Sequence, residues 1–531
     1  MKRLALILLA VTGICACNQP QCYSSLNEQA AAEYLEPVRP ASEGRNPCWN
    51  KFAKKFIYAP CFDVPEVPEA ARYRFTVRKG DDSWSFTADA PGASLAPVWN
   101  SIPPGDVELE VEAIGQDGSS LGTVYTRNFL RDFPFDGPYR PAVRDYREAA
   151  IKAALYVFLM PEIQHWTESA LPDMNYPHNT YPCKIIGATV RIACLVAKEL
   201  PERRENALDV ARGAAAFLMD MSRPAGEPLA FFPPTYYLDK EASKKDWNKG
   251  KTMTMEAAAA GQAFLDLYDL CGEQEYLDRA VEIGRTYVRL QREDGSLPIK
   301  LDFLTGEPVN DVCAMLDPLL NYFVRLEGYG FSEFGGPRSL GERWMDEVAV
   351  ERFDMTGQFE DVNVKDLEPY QNLTNCTAAP YASYLLNKAD KSSRDIDNAL
   401  DLIRLSEDQF VHWAYPELLP DGFYKRNAPC VHEQYRYEMP VDNSACNVAN
   451  AWLDWYECSG DLLALAKAEA LLDNMTIQQN AVNGMIPTTW EFRETGKDRN
   501  RTFWANCSYS SIITLMRFAG MADERAKLPA R

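Results

Sequence analysis

Residues 430–442 (CVHEQYRYEMPVD) set three carboxylates, Glu433, Glu438 and Asp442, among His432, Tyr435, Arg436 and Tyr437. Two other stretches share this character. One holds Asp173, Asn175, Tyr176, His178 and Tyr181; the other holds Trp490, Glu491, Arg493, Arg501, Phe503 and Trp504. Flat rings with polar edges suit the faces of sugars, and arginine forks suit carboxylates. Carboxyl groups add a reaction. Glycosidic cleavage needs one protonated carboxyl to give its proton to the leaving oxygen and a second carboxylate as base or nucleophile. Burial among aromatics raises the donor's pKa toward neutrality. Glu256, Asp311, Glu433, Glu438 and Asp442 are the carboxylates that could serve. Glu256 opens an apolar helix, where it could equally do no more than complement the helix dipole.

The elements that must position these residues are helices. Hydrophobic periodicity predicts twelve, near 144–166, 181–200, 203–222, 253–271, 275–292, 311–328, 339–353, 376–389, 393–413, 443–458, 461–481 and 506–519. They alternate in character. The second, fourth, sixth, tenth and twelfth are apolar on most faces, whereas the third, fifth, ninth and eleventh carry one apolar stripe. Six buried helices ringed by six amphipathic ones describe an (α/α)6 toroid over residues 140–521. The turns that leave buried helices are short, and the returns (224–252, 295–310, 416–442, 484–505) are long. All long loops therefore emerge on one face, above the N-termini of the inner helices, where function concentrates. At this rim Asp311, Asn375, Asn443 and Asn506 each precede a cysteine closely. For the asparagines the plain reading is helix capping. Asp311 can cap and still face the funnel.

Ahead of the toroid, alternation in 73–77, 84–87, 107–111 and 123–129, broken by Gly, Pro and Asp clusters, predicts a small antiparallel β-sandwich over 61–135. Residues 17–60 read as tether and lead-in. Residues 1–16 resemble a bacterial lipoprotein signal: Lys2 and Arg3 precede an apolar run, and Ile14-Cys15-Ala16 leads to Cys17, the residue that would be lipidated. The expected location is outside the cytoplasm, in the periplasm or at the outer membrane, tethered through Cys17. Export permits disulfides, and Cys48 with Cys61 is the favoured pair. The chain has 531 residues and a formal net charge of -21, which argues against nucleic-acid binding. With four histidines and no CxxC or HExxH spacing, neither a transition metal nor another cofactor is expected.

A β-domain followed by twelve helices resembles the six-hairpin glycosidase superfamily. Residues 310–323 (NDVCAMLDPLLNYF) look similar to the segment of unsaturated glucuronyl and rhamnogalacturonyl hydrolases in which an aspartate opens an inner helix. That resemblance implies Asp311 as general acid/base on a terminal uronic acid. The expectation is an exo-acting uronidase, of β-glucuronidase or unsaturated-uronidase type. Glu433, Glu438 or Glu256 would be its partner carboxylate. Arg493 or Arg501 would hold the substrate carboxylate on platforms from Trp490, Trp504 and Tyr437. A polysaccharide lyase using His178, Tyr181, His432 or Tyr437 is the competing enzyme, and a glycan-binding lipoprotein without catalysis is the other alternative.

Overall fold

The computed structural model describes residues 22–38, 49, 51–238, 246–355, 368, 370–415, 427–489 and 503–531. The leader, Cys17 and Cys48 lie outside the described residues.

Each of the twelve expected helices is present: α2 (Tyr146–Phe158), α3 (Gly187–Glu199), α4 (Arg204–Asp220), α5 (Glu256–Cys271), α6 (Gln274–Leu290), α7 (Asp317–Gly328), α8 (Gly335–Met345), α9 (Asn375–Asn387), α10 (Ser393–Phe410), α11 (Asp442–Ser459), α12 (Leu462–Gln478) and α13 (Ala505–Ala519), after a leading helix α1 (Tyr23–Glu33). The odd-numbered helices from α3 to α13 form the inner ring. Each packs on the next, and α13 returns to α3. Each even-numbered helix covers an inner partner, with α2 covering α13. The (α/α)6 toroid is therefore closed. Small residues permit this crowding: at Gly261 of α5 a Cβ would collide with Tyr322 of α7. Gly272 and Gly460, at φ 72° and 75°, stop α5 and α11 in the left-handed conformation that a short C-terminal turn needs.

The long returns share the expected face and are stitched together by short strands. Strand β6 (Lys251–Met253) pairs with β7 (Lys300–Asp302), and β8 (Val411–His412), β9 (Cys430–Gln434) and β10 (Tyr437–Pro440) form a second ribbon. Single bridges join Thr374 to Gln434 and Val441 to Thr489.

The N-terminal unit differs from expectation. Its four predicted strands appear within β2 (Arg72–Lys79), β3 (Asp82–Ala88), β4 (Gly105–Ile114) and β5 (Ser120–Arg131), but they form one sheet, ordered β1-β5-β4-β2-β3. The added edge strand β1 (Lys55–Phe56) runs parallel to β5. Among the described residues of 61–135 no second sheet packs against it. Phe75, Val77, Leu109, Val111 and Phe129 share one buried cluster with Phe56, Phe62 and Trp99, and Phe129 touches all three of these rings, so an edge strand, coil and a short helical turn cover the face that a sandwich would have covered with strands. The other face carries cross-strand ion pairs, Arg74 to Glu112 and Arg78 to Glu110. This unit is fastened to the end of α10. Asp408 accepts from the Ile57 and Tyr58 amides, and buried Glu407 accepts from Tyr34, Tyr58, Trp413 and Lys467.

Candidate functional site

An inner helix has a neighbour on each side and an outer helix behind it, so its half-exposed residues must face the axis. In the N-terminal parts of α11 and α13 these include Asn443, Asn447 and Asn450, a stripe at helical spacing, and Asn506, Tyr509 and Ser510; on α9 they are Cys376, Pro380 and Ser383. The axial wall is thus rich in amides. The asparagines were expected as N-caps. Instead Thr374 caps α9 by accepting from the Cys376 amide, which frees Asn375 to reach across to the Ser444 carbonyl at 3.1 Å.

At this end of the ring, side-chain polar atoms are buried with no protein partner: His178 Nδ1, Asn179 Oδ1, Asn375 Oδ1, Ser444 Oγ, Asn506 Oδ1 and Ser508 Oγ. Each such burial costs about 1–3 kcal/mol unless something hydrogen-bonds to it. A polyhydroxylated ligand supplies partners of both polarities.

The charged groups converge on Cys507, in the first turn of α13. Burial raises its thiol pKa, Asp442 and Glu433 raise it further, and Lys184 opposes them. Asp442 opens α11 and is fully buried. Desolvation pushes its carboxyl up to about 8, with Glu433 adding to the shift, although the Asn443 amide at 2.7 Å and the Ser511 hydroxyl at 3.1 Å favour the ionised form. At neutral pH it keeps its proton. Glu433, on β9, is half-buried and lies 3.8 Å from Cys376 Sγ.

On the opposite wall, Glu256 in the first turn of α5 is paired to Lys184 at 3.3 Å. Lys184 sits in a π-helical turn, Pro182–Ile186, that opens α3. Such turns often mark functional positions. Its ammonium lies 5.9 Å from the Trp504 ring. His178 stacks on Trp504 at 4.0 Å and Tyr181 approaches it at 5.2 Å. Burial and then the Lys184 charge push His178 down to about 4, so the imidazole is neutral. Tyr176 fixes this platform: its hydroxyl donates to the Phe503 carbonyl at 2.6 Å and accepts from the Ala505 amide at 3.0 Å.

The structure therefore assembles Glu256, Glu433, His178, Tyr181 and Trp504 at the expected rim. It places other residues differently. Asp311 does not open an inner helix. The chain there is held as a strand-like return, with the Ile299 amide donating to the Val312 carbonyl and the Ala314 amide to Leu297, and Asp311 is exposed. The helix begins at Asp317, where Pro318 fits the first turn. Asp317 is buried, and desolvation raises its carboxyl pKa to about 8. Tyr437 is 41% exposed, away from the packed platform. His432 faces the other side of β9 from Glu433 and bonds Tyr415. The Glu438 side chain, Trp490, Arg493 and Arg501 lie outside the described residues. Sequence reasoning missed Lys184 and Asp317. The Asp317-Pro318 dipeptide at the head of an apolar run was the available signal for the latter.

The other end of the ring is closed by ion pairs. Asp266 bridges Arg191 and Arg325, both at 2.6 Å, and Arg325 also reaches Asp269. Arg517 joins Asp454 at 2.7 Å and Asn450 at 3.1 Å. The site is thus a funnel with one polar, underfilled mouth and one sealed floor. Among the described residues no cluster of His, Cys, Asp or Glu has the arrangement of a metal site, and no helix is long and apolar enough to cross a membrane.

No family model and no curated protein matches the sequence. Among solved structures, the chain is similar to a family 76 glycoside hydrolase from a bovine Bacteroides thetaiotaomicron strain, at 8% identity over 89% of this chain and 99% of that one, TM-score 0.45. It is also similar to cellobiose 2-epimerase from Spirochaeta thermophila, at 10% identity over 71% and 98%, TM-score 0.49. An unsaturated glucuronyl hydrolase specific for heparin shares 11% identity over 71% and 98%, TM-score 0.46. At such distances the likeness says nothing of activity.

Proposed function

We propose that the protein is a glycoside hydrolase that works in the funnel, with Glu433 as proton donor and Glu256 as the second carboxylate. The observation that carries this reading is the asymmetry of the two walls. Lys184 beside Glu256 favours its ionised form, as a base or nucleophile requires. Across the axis, Asp442 and Glu433 share one low-dielectric corner and the pair retains one proton near neutrality, which rests on Asp442 and reaches the departing oxygen through Glu433. Asp442 is sealed behind Ser511 and is a positioning residue; Glu433 is the member that reaches the axis. A sugar ring lying on Trp504 offers its hydroxyls to the axial amides and serines. Glu433 protonates the departing oxygen as the glycosidic bond breaks, and Glu256 attacks the anomeric carbon or activates the water that does.

Within that class we favour uronic-acid-bearing glycans cut from a chain end, because Lys184 brings a cation to the platform. Export and tethering through Cys17 belong to the same proposal and rest on the leader's sequence. Incorporation of labelled palmitate that Cys17→Ser abolishes is the expected result.

The deciding experiment is turnover of a panel of uronate and neutral oligosaccharides by wild type and Glu433→Gln. The variant should lose about 10²–10⁴-fold in kcat while keeping its fold. Undiminished turnover by Glu433→Gln would sink the assignment. A product absorbing as an unsaturated uronate would favour the lyase, for which neutral His178 beside Lys184 supplies a base. Binding without any product would favour the non-catalytic reading.

A further inference from the structure

A second concavity of about 1230 Å³ lies outside the toroid axis, between the N-terminal sheet and the rim ribbon. Strands β1, β4 and β5 supply one wall, with Lys54, Asp106, Glu108 and Leu130; the turn after β2 adds Lys79. The opposite wall is the β8–β9–β10 ribbon with His412, His432, Gln434 and Arg436. Side chains alternate across a strand. His432 and Gln434 of β9 therefore look into this cleft while Glu433 between them looks toward Cys376 and the funnel. One strand separates two sites.

The back of the cleft is built rather than incidental. Asp132, fully buried, accepts from Lys55 Nζ at 2.9 Å and from His412 Nδ1 at 2.8 Å, and despite burial Lys55 first and then His412 hold its carboxyl well below the usual range. The His412 ring lies 4.3 Å from that of His432, whose Nε2 meets the Tyr415 hydroxyl at 2.7 Å. Tyr415 stacks on His412 at 4.9 Å. The result is a rigid aromatic and imidazole wall. Around the opening stand Lys54, Lys79 and Arg436, none in an ion pair among the described residues, with Lys79 donating to the Pro103 and Pro104 carbonyls and Arg78 engaged by Glu110. Two carboxylates, Asp106 and Glu108, share the lining. On a chain of net charge -21 an excess of lining cations is anomalous, and it selects an anionic ligand.

We propose that this cleft is a separate binding site for an acidic oligosaccharide, holding its carboxylate or sulfate groups with Lys54, Lys79 and Arg436 and its ring faces against Tyr415 and Tyr435. The ligand class rests on the glycan reading of the funnel; the site itself does not. The cleft retains a polymer beside the enzyme while a chain end occupies the axis.

The test is calorimetric titration of the full chain with oligogalacturonate, heparin-derived oligosaccharide and malto-oligosaccharide. Four proteins are compared: wild type, Lys54→Gln/Lys79→Gln/Arg436→Gln, Tyr415→Ala and Glu433→Gln. An acidic oligosaccharide should bind wild type and Glu433→Gln alike, with affinity falling as salt rises. The triple variant should bind it about tenfold more weakly, three rim charges at a fraction of a kcal/mol each, and Tyr415→Ala should weaken it as well. The triple variant concerns surface side chains and leaves turnover of short substrates unchanged. Comparison of the carboxylated and sulfated probes shows which anion is preferred. Equal binding by the triple variant, preference for the neutral glycan, or no acidic binding to wild type would overturn the proposal. Loss of binding in the triple variant together with an inactive wild type would sustain the cleft and remove the hydrolase assignment.

Discussion

The two ends of the helical ring are made of similar residues arranged to opposite effect. At the C-terminal end of the inner helices, arginines and aspartates are matched: Asp266 with Arg191 and Arg325, and Asp454 with Arg517, across five helices. At the N-terminal end the charges are uneven, carboxylates outnumber the one ammonium that touches them, and six buried polar atoms lack a protein partner. A saturated network stabilises and leaves nothing to offer. An unsaturated one costs stability that a ligand can return.

This contrast can be broken in order of effect. Replacing Glu256 with Gln should lower kcat by at least about a hundredfold, with a melting temperature close to wild type; a preserved kcat would mean the ion-paired wall has no part in chemistry. Replacing Asp266 with Ala at the matched end should do the reverse. It should cost about 2 kcal/mol in denaturant unfolding by leaving two arginines short of a partner, with kcat/KM unchanged.

The third test is pH. Asp442 and Asp317 hold their protons to about pH 8 in the folded chain, but would release them near pH ~4 once unfolded. Between those limits the folded state binds the extra protons, so stability should fall as pH rises from about 4 to about 8. Asp442→Asn and Asp317→Asn should each flatten that slope, measurable by thermal melts across the window. The smallest effect expected is from Trp504→Ala, a rise in KM of about three- to tenfold from loss of the stacking face, with kcat little altered.

Helix number, alternation and loop asymmetry were legible because burial writes a period into the sequence: α3 and α5 read as apolar nearly all round, α6 as a single stripe. The start of α7 was not legible from Asp311, since pairing of 297–299 with 312–314 is a long-range contact that competes with local helix signals. The missing second layer of the N-terminal unit had a similar cause. Alternation in β2 and β4 says that one face is buried, but not that residues outside any strand, such as Phe62 and Trp99, bury it. Where the candidate residues would lie was legible only in part. Trp504, His178 and Glu433 were found as a chemical type. Lys184 sits in an apolar helix start, and Asn443, Asn447 and Asn450 look like caps and solvent residues until closure of the ring turns their shared face inward. His432 and Glu433 adjoin in sequence, and only the strand geometry of β9 assigns them to different cavities.

Closure also has a consequence for how the chain reaches its folded state. Helix α2, the first of the ring, touches α3 next in the chain, but its main partner is α13, the last. Every other hairpin can dock on a neighbour as soon as both exist, but the α2–α13 seam joins distant parts of the chain and forms only when the circle is complete. The axis, with its lining from α3, α5, α9, α11 and α13, does not exist before that seam forms. A polypeptide emerging from its N-terminus first would hold α2 half-dressed throughout synthesis, and the funnel would appear in a single late step. Rejoining the chain elsewhere, with new ends in the short turn between α5 and α6, would move that seam without altering one residue of the axis.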